Sequence, residues 1–172
     1  QIRAPIRHGG GVTVLHPAGI PDQCFPDRRD RVFILPGTFG RRGSLQRLDP
    51  VETDLPWDVL AAVPETYFTA WGSLFQCLRL TKEDTLLVRG ATCALGYVAI
   101  QLAKAYGCTV VGTTHKASKL ALLKEAGCDE SVLDEGSLQG KVNGVTKALE
   151  LIGIKTVKDT MLCVEQGGIV CN

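Results

Sequence analysis

Apolar and polar positions alternate most regularly in the middle of the chain, between residues 84 and 114. A short apolar run from Leu86 to Val88 is typical of a parallel strand that is covered on both faces. After a stretch of small residues, apolar side chains recur at helical spacing from Leu95 to Tyr106, and Gly107 then provides a helix terminator. Because Thr109 to Val111 is apolar again, the pattern predicts a strand–helix–strand unit.

The alternation continues through the second half of the chain. The predicted helices are a short turn at 56–62 and the segments 64–80, 118–126 and 155–164; the further predicted strands are 131–133, 147–152 and 168–171. The connection between Asp134 and Val145 is short and rich in glycine, so we expect its helix to be reduced or absent. This order predicts an α/β fold with a doubly wound, Rossmann-like parallel sheet, truncated at its C-terminus.

The first 50 residues follow a different pattern. They contain eight Arg and no Lys, whereas the remainder contains two Arg and nine Lys. Glycine and proline cluster here, and only Gly11–Leu15 and Arg31–Leu35 resemble strands. We therefore expect one domain at 51–172, preceded at 1–50 by an irregular segment that is either a small β-rich remnant or poorly ordered. A damaged or misread coding segment would also give such a sequence.

Composition narrows the classes of function. The net charge of +1 gives no indication of a nucleic-acid or acidic-membrane partner, and no apolar run approaches the roughly 20 residues of a membrane helix. The N-terminus lacks the apolar core of a signal peptide, so we expect a cytoplasmic protein. The seven cysteines form no C-x-x-C pair, which predicts no metal site and reduced core thiols, except for Cys93.

The segment Gly90–Gly96 carries the chemical signal. It has no bulky or charged side chain before Leu95, and it leads into a helix N-terminus, where unpaired N–H groups and the helix dipole favour an anion. The pyrophosphate of a dinucleotide is the natural ligand. In the usual G-x-G-x-x-G pattern, the glycine positions hold Ala91, Cys93 and Gly96, so only the third glycine is present. An ordinary strand-to-helix turn remains the alternative.

The tip of the second strand bears on the choice of cofactor. An acidic residue there would accept the ribose hydroxyls of NADH, whereas cationic and hydroxyl side chains suit the 2′-phosphate of NADPH. No acid occurs between Gly112 and Glu125. The candidate ligands are Thr113, Thr114, His115, Lys116 and Lys119. The pattern favours NADPH, with a solvated helix start carrying ordinary lysines as the alternative.

An aromatic-rich stripe marks the predicted helix at 64–80. Its members are Tyr67, Phe68, Trp71, Leu74, Phe75 and Leu78. We predict that most of these residues pack in the core. The hydroxyls of Tyr67 and Thr69 could also face a cleft.

These segments together resemble a known family. GATCALGYVAIQLAKAYGCTVVGTT, with PETYFTAWGSLF before it and KLALLKEAGCDE after it, resembles the zinc-independent medium-chain dehydrogenase/reductases, and among them the quinone oxidoreductase-like proteins. The resemblance runs from Leu55 to Asn172. It implies NADPH as cofactor, no metal, and a quinone, enone or related carbonyl compound as small-molecule substrate. It also implies a GroES-like N-terminal domain, of which residues 1–50 would be a β-poor remnant, and a homodimer for a full-length chain.

The resemblance also assigns roles to residues. The pyrophosphate turn would be Gly90, Ala91, Cys93, Ala94, Leu95 and Gly96, and the adenosine-phosphate segment would be Thr114, His115, Lys116 and Lys119. Ile152 and Gly153 would border the cofactor. Thr69, beside Trp71, would orient the nicotinamide as a catalytic residue, and Tyr67 would be a proton source. Cys93 replaces a more usual Gly or Ser, and His115 replaces a common Arg.

A second hypothesis belongs to a different class. The irregular first 50 residues and the abrupt end together remove most of a normal substrate cleft. The chain could therefore be a truncated, non-catalytic nucleotide-binding domain.

Overall fold

The computed structural model describes residues 12–15, 31–36, 49–52 and 54–172. The chain divides into two compact units, Gln1–Glu65 and Thr66–Asn172.

In the first unit, the described strands form an antiparallel sheet in the order β1-β2-β3. They are β1 (Val12–Leu15), β2 (Arg31–Pro36) and β3 (Asp49–Glu52). The sequence pattern predicted β1 and β2. It missed β3 because aspartate and proline are uncommon in strands, and a strand that contains Pro50 is tolerated at a sheet edge. The glycine- and proline-rich stretches around these strands lie outside the described residues.

The second unit is built on a five-stranded parallel sheet in the order β6-β5-β4-β7-β8. Its strands are β4 (Thr85–Arg89), β5 (Thr109–Thr114), β6 (Glu130–Leu133), β7 (Val145–Glu150) and β8 (Val164–Cys171). The α-helices of the described residues are α1 (Trp57–Trp71), α2 (Ala94–Tyr106), α3 (Leu120–Glu125) and α4 (Val157–Cys163). The chain moves outward from β4 to β6 and then returns to the other side of β4. This topology confirms the doubly wound, Rossmann-like sheet.

Apolar side chains fill both faces of this sheet. Alternate residues of β4, Leu86 and Val88, pack with α2 and α3 on one face, while Leu87 packs on the other face with the 134–144 connection and α4. Because successive side chains in a strand point to opposite faces, a strand covered on both sides reads as a continuous apolar run. The connection between β6 and β7 contains no helix, as predicted.

Helix α1 differs from its prediction. A helical turn at 56–62 and a separate helix starting at Pro64 were expected, but a single helix runs from Trp57 to Trp71 and continues as a π-helical turn, Gly72–Cys77. A proline inside a helix removes one backbone hydrogen bond and favours a break. After Pro64, the helix is held against the core by Ala70 and Leu74, which are fully buried.

The aromatic stripe is only partly a core face. Leu74 and Leu78 are fully buried, and Tyr67 and Phe75 pack at the edge of the core. Phe68 and Trp71 are 63% and 47% exposed, so the core prediction is wrong for these two residues. Helical spacing shows which residues share one face of a helix, but it cannot show which of them the rest of the protein covers.

The thiols follow a similar pattern. Cys108 and Cys128 are buried, and burial raises the pKa of Cys128 to about 11, so both behave as unreactive core residues. Cys77 is exposed, contrary to the expectation of a core thiol.

Within the described residues, no helix is both long and apolar enough to cross a membrane. The same residues contain no group of three or more acidic, His or Cys side chains placed to hold a metal ion.

A buried arginine fastens the carboxyl edge of the sheet. Arg89 is fully buried at the end of β4, and its Nε and Nη2 donate to the two carboxylate oxygens of Asp134 at 2.8 and 3.1 Å. Its Nη1 donates to Asp159 Oδ2 at 2.7 Å and to Thr160 Oγ1 at 3.0 Å. Since Asp134 follows β6 and the other two partners lie on α4, one guanidinium joins β4, β6 and α4.

Asp159 is held as a carboxylate by many donors. Burial opposes its ionisation, but hydrogen bonds from Ser137, Gln139, the Leu138 N–H and Arg89 outweigh that effect and hold the pKa of Asp159 well below its usual range. The pKa of Asp134 is also lowered, because burial is outweighed by its bonds from Arg89 and the Gly136 N–H. Both groups therefore stabilise the folded chain in their charged form.

Helix α2 lies directly against the turn that follows β4. A Cβ atom added at Gly96 would lie 2.4 Å from the carbonyl oxygen of Ala91, a backbone atom. Only glycine allows this approach.

We expect Gly96→Ala to reduce the free energy of unfolding by about 2 kcal/mol, as is usual for overpacking against an immobile neighbour. Gly72→Ala is the matched control, because a Cβ there meets nothing within 4 Å. The control should be neutral or slightly stabilising, since alanine is the better helix former. Urea unfolding measures both, and equal stability of the two variants would contradict the close packing.

We expect Asp159→Asn to cost about 3 kcal/mol of stability at pH 7, the usual cost of breaking a buried ion pair. The lowered folded-state pKa contributes stability that is complete above an unfolded-state pKa of about 3.9 and is lost as the pH falls through the folded value. The difference between wild type and variant should therefore shrink below about pH 4.

Urea unfolding at several pH values measures this difference. Glu135→Gln is the control, because its partner Lys141 makes only an exposed pair, and its effect should be small at every pH. A wild-type advantage over Asp159→Asn that grows at low pH would refute the assignment.

Candidate functional site

The strand order reverses between β4 and β7, and in open parallel sheets a crevice forms outside the carboxyl ends at such a point. Two loops border it: the Gly90–Cys93 turn after β4 and the Leu151–Gly153 loop after β7. Gly90 has φ +79°, and a Cβ there would lie 3.0 Å from Ile152 Cγ1. Glycine is therefore required both by the backbone conformation and by the contact between the loops.

The end of β5 holds the turn in place. The Gly90 N–H donates to Thr113 Oγ1 at 3.2 Å, and the Ala91 N–H donates to the Thr113 carbonyl at 2.9 Å. Thr113 and Ala91 are both fully buried. Two residues that were predicted to bind a cofactor thus shape the turn, and contact of either side chain with a ligand stays a prediction.

Cys93 caps the start of α2. Its Sγ accepts from the Gly96 N–H at 3.3 Å, and its carbonyl accepts from the Tyr97 N–H at 3.0 Å. In the described part of the chain, no protein group accepts from the N–H groups of Ala94 and Leu95. Cys93 and Ala94 are exposed and Leu95 is half-buried, so these donors at the positive end of the helix dipole are accessible to an anion.

Basic side chains lie at the tip of β5. His115 and Lys116 are exposed and Lys119 is half-buried, while Thr114 is buried, and its Oγ1 accepts from the Lys116 N–H at 3.3 Å.

The carboxylates that follow the neighbouring strand β6 are already paired. Asp134 binds Arg89, and Glu135 lies 2.7 Å from Lys141 Nζ. This edge of the site therefore offers cationic groups and no unpaired carboxylate after β6.

A buried carboxylate shapes the loop after β7. Glu150 Oε1 accepts from the N–H groups of Ile152 and Gly153 at 2.7 and 3.1 Å and from Thr156 Oγ1 at 3.1 Å. These bonds end the strand at Glu150, so the predicted strand 147–152 is wrong in its last two residues. Ile152 is exposed and Gly153 has φ +107°, as a turn requires.

Sequence reasoning missed Arg89 and Glu150. The available signal was a charged residue at the last position of an apolar strand, in TLLVR and VTKALE. Full burial of such a residue is uncommon unless it is paired.

The two predicted catalytic residues lie on α1. Tyr67 Oη donates to Gln101 Oε1 at 3.2 Å, and Thr69 is exposed. Gln101 lies seven residues after the first residue of α2, which is about 10 Å along the helix axis. The structure thus joins the glycine turn, the β5 tip and the β7 loop, but directs the Tyr67 hydroxyl to the side of α2.

An apolar pocket lies beside these residues. Its volume is about 340 Å³, and it is lined by Tyr67, Phe68, Trp71 and Leu102. The first three residues come from α1 and the fourth from α2.

Comparison with known proteins finds similarity to dehydrogenases and quinone oxidoreductases. The family model described as zinc-binding dehydrogenase matches residues 94–172. A probable quinone oxidoreductase of Leishmania amazonensis is 34% identical over 108 residues, which is 59% of this chain and 32% of the relative. The quinone oxidoreductase of Rattus norvegicus is 27% identical over 128 residues, 70% of this chain and 39% of the relative. The aligned part of the chain thus spans less than two fifths of the length of each of these relatives.

A solved structure supports the same fold. The quinone oxidoreductase of Thermus thermophilus, also solved as a complex with NADPH, superimposes with a TM-score of 0.71 at 23% identity and covers 94% of this chain and 52% of its own. The sheet order and this superposition agree on the fold, and the family match and the sequence similarity confirm that the chain resembles the medium-chain dehydrogenase/reductases, in particular the quinone oxidoreductase-like proteins.

Proposed function

We propose that the protein is an NADPH-dependent oxidoreductase that transfers hydride to a quinone, an enone or a related carbonyl compound. The observation that supports this most strongly is the exposed start of α2 at the point where the strand order reverses. There the Ala94 and Leu95 N–H groups have no described protein acceptor, and the turn before them carries only the small side chains of Ala91, Thr92 and Cys93. This arrangement fits a pyrophosphate, which needs N–H donors and close backbone approach.

The basic tip of β5 supports NADPH over NADH. Lys116 and Lys119 would pair with a 2′-phosphate, and the exposed His115 would add a hydrogen bond. NADH recognition needs a carboxylate for the ribose hydroxyls at the tip of β5, and no acidic residue occurs between Gly112 and Glu125.

A bound nicotinamide would supply the hydride, and the protein would orient the nicotinamide ring and shield that ring from water. Ile152 and Gly153 would border the cofactor from the β7 loop. Thr69 would orient the nicotinamide, and Tyr67 would deliver a proton after its hydroxyl leaves Gln101. Quinone as substrate is supported by the names of the relatives. Zinc independence, a cytoplasmic location and a homodimer of a full-length chain belong to the same proposal.

The alternative is a non-catalytic nucleotide-binding domain. The turn after β4 and the basic tip of β5 would suffice to bind a dinucleotide, whereas the hydroxyl of Tyr67, the predicted proton source, donates to Gln101 on the side of α2. The chain also spans only 32% and 39% of the two quinone oxidoreductases.

Turnover separates the two functions. With the wild-type chain, we expect NADPH to quench tryptophan fluorescence and to be oxidised when a para-quinone is added, as measured by the loss of its near-ultraviolet absorbance. Quenching without oxidation would favour the non-catalytic domain. Absence of binding to either dinucleotide would refute both.

For cofactor choice, we expect the double variant Lys116→Ala, Lys119→Ala to weaken NADPH binding about tenfold, because two charge-assisted contacts to phosphate are lost. NADH binding should change by less than about threefold, since the 2′-hydroxyl carries no charge. Fluorescence titration measures both constants.

The matched control removes two lysines elsewhere on the surface, the exposed Lys82 before β4 and the exposed Lys124 on α3. It changes the net charge equally and should leave the preference for NADPH intact. Equal losses for both dinucleotides in the test variant would contradict the assignment of the phosphate site.

A further inference from the structure

One carboxylate, that of Glu150, holds the loop after β7, and among the described residues no cationic side chain pairs with it directly. Glu150 is buried, and its Oε1 accepts from the N–H groups of Ile152 and Gly153 and from the Thr156 hydroxyl. Its Oε2 accepts from the Thr160 hydroxyl. Four donors thus satisfy a buried charge, and two of them are the backbone of the loop.

A positive charge, the Arg89 guanidinium, is connected to Glu150 through the hydroxyl of Thr160. The Thr160 hydroxyl donates to Glu150 and accepts from Arg89 Nη1 at 3.0 Å. Arg89 also pairs directly with Asp134 and Asp159. The Arg89 guanidinium therefore binds two carboxylates directly and is connected through Thr160 to a third, Glu150, which holds the loop.

The loop in turn touches the glycine turn. Ile152 Cγ1 lies 3.0 Å from the position that a Cβ would take at Gly90, the residue directly after Arg89. The two loops at the reversal point are thus joined on the outside by Ile152 and in the interior by Arg89, Thr160 and Glu150. A shift of the β7 loop would move a side chain at the start of the proposed pyrophosphate turn.

We propose that Glu150 is a positioning residue for the cofactor, which fixes the Leu151–Gly153 loop through Ile152 and Gly153 and is itself held by Arg89 through Thr160. The inference rests on the proposed function and names a second part of that site. Glu150 does not touch the cofactor; it acts through the loop, so its loss affects NADPH and NADH alike.

The test compares Glu150→Leu with Glu150→Gln. The leucine variant removes both oxygens, whereas the glutamine amide oxygen can still accept from the two loop N–H groups. In the cofactor-free chain, we expect hydrogen exchange at Ile152 and Gly153 to rise about tenfold in Glu150→Leu, and NADPH and NADH affinity to fall about tenfold. Glu150→Gln should stay within about threefold of wild type for all three quantities.

Thr160→Val provides a second route if Glu150→Leu does not fold. It removes only the bridging hydroxyl and should raise exchange at the same two amides and weaken both dinucleotides. Thr146→Val is its matched control, because Thr146 Oγ1 donates to Asp84 Oδ1 at 2.6 Å at the opposite end of β7. The control should lower the melting temperature and leave loop exchange and affinity unchanged.

Unchanged exchange at Ile152 and Gly153 in both Glu150→Leu and Thr160→Val would overturn the proposal. Increased exchange with unchanged dinucleotide affinity would also overturn it, because the loop would then lie outside the site. A wild-type chain that binds no dinucleotide would refute the proposed function and the cofactor role of Glu150 together. The exchange data, measured without cofactor, would still show whether Glu150 orders the loop.

Discussion

The arrangement of the carboxyl edge depends on the ion pairs of Arg89. A guanidinium without access to water is stable only if all its N–H groups find acceptors, and here two aspartates, a threonine hydroxyl and the backbone carbonyls of Gly136 and Thr156 provide them. Because these acceptors come from the connection that follows β6 and from α4 with the residue before it, the arginine sets the relative positions of the elements around the crevice. The apolar core alone would not specify them, since dispersion forces have little directionality.

Local sequence patterns were sufficient for the framework. Apolar runs such as Leu86–Val88 and the helical spacing that ends at Gly107 depend on neighbours in the sequence, and they predicted the strand–helix alternation and hence the parallel sheet. The turn Gly90–Gly96 was also predicted from a local pattern, a run of small residues between a strand and a helix. The continuation of α1 through Pro64 and the end of β7 at Glu150 were missed, because they depend on packing and hydrogen bonds that no local window contains.

Within the site, side-chain chemistry alone was an incomplete guide. Thr113 has a hydroxyl at the position expected for a cofactor ligand, yet its burial and its bond from the Gly90 N–H make it part of the framework. The sequence pattern singled out neither Arg89 nor Glu150, because their importance comes from partners 45 and 10 residues away. Residue type predicts the capacity to bind, whereas the direction of each side chain follows from the fold.

The exposed aromatic side chains of α1 have a consequence for the behaviour of the chain in solution. Phe68, Trp71 and Leu102 border an open concave surface with scarcely any hydrogen-bonding atoms, so the water molecules there lose partners that they would have in the bulk. Amphiphilic dyes and non-ionic detergents will partition onto this surface, and added sulfate will strengthen that adsorption through the salting-out of apolar groups. Trp71 is itself half-exposed on this surface, so the wavelength of its fluorescence emission maximum depends on whether water or an adsorbed molecule lies against it.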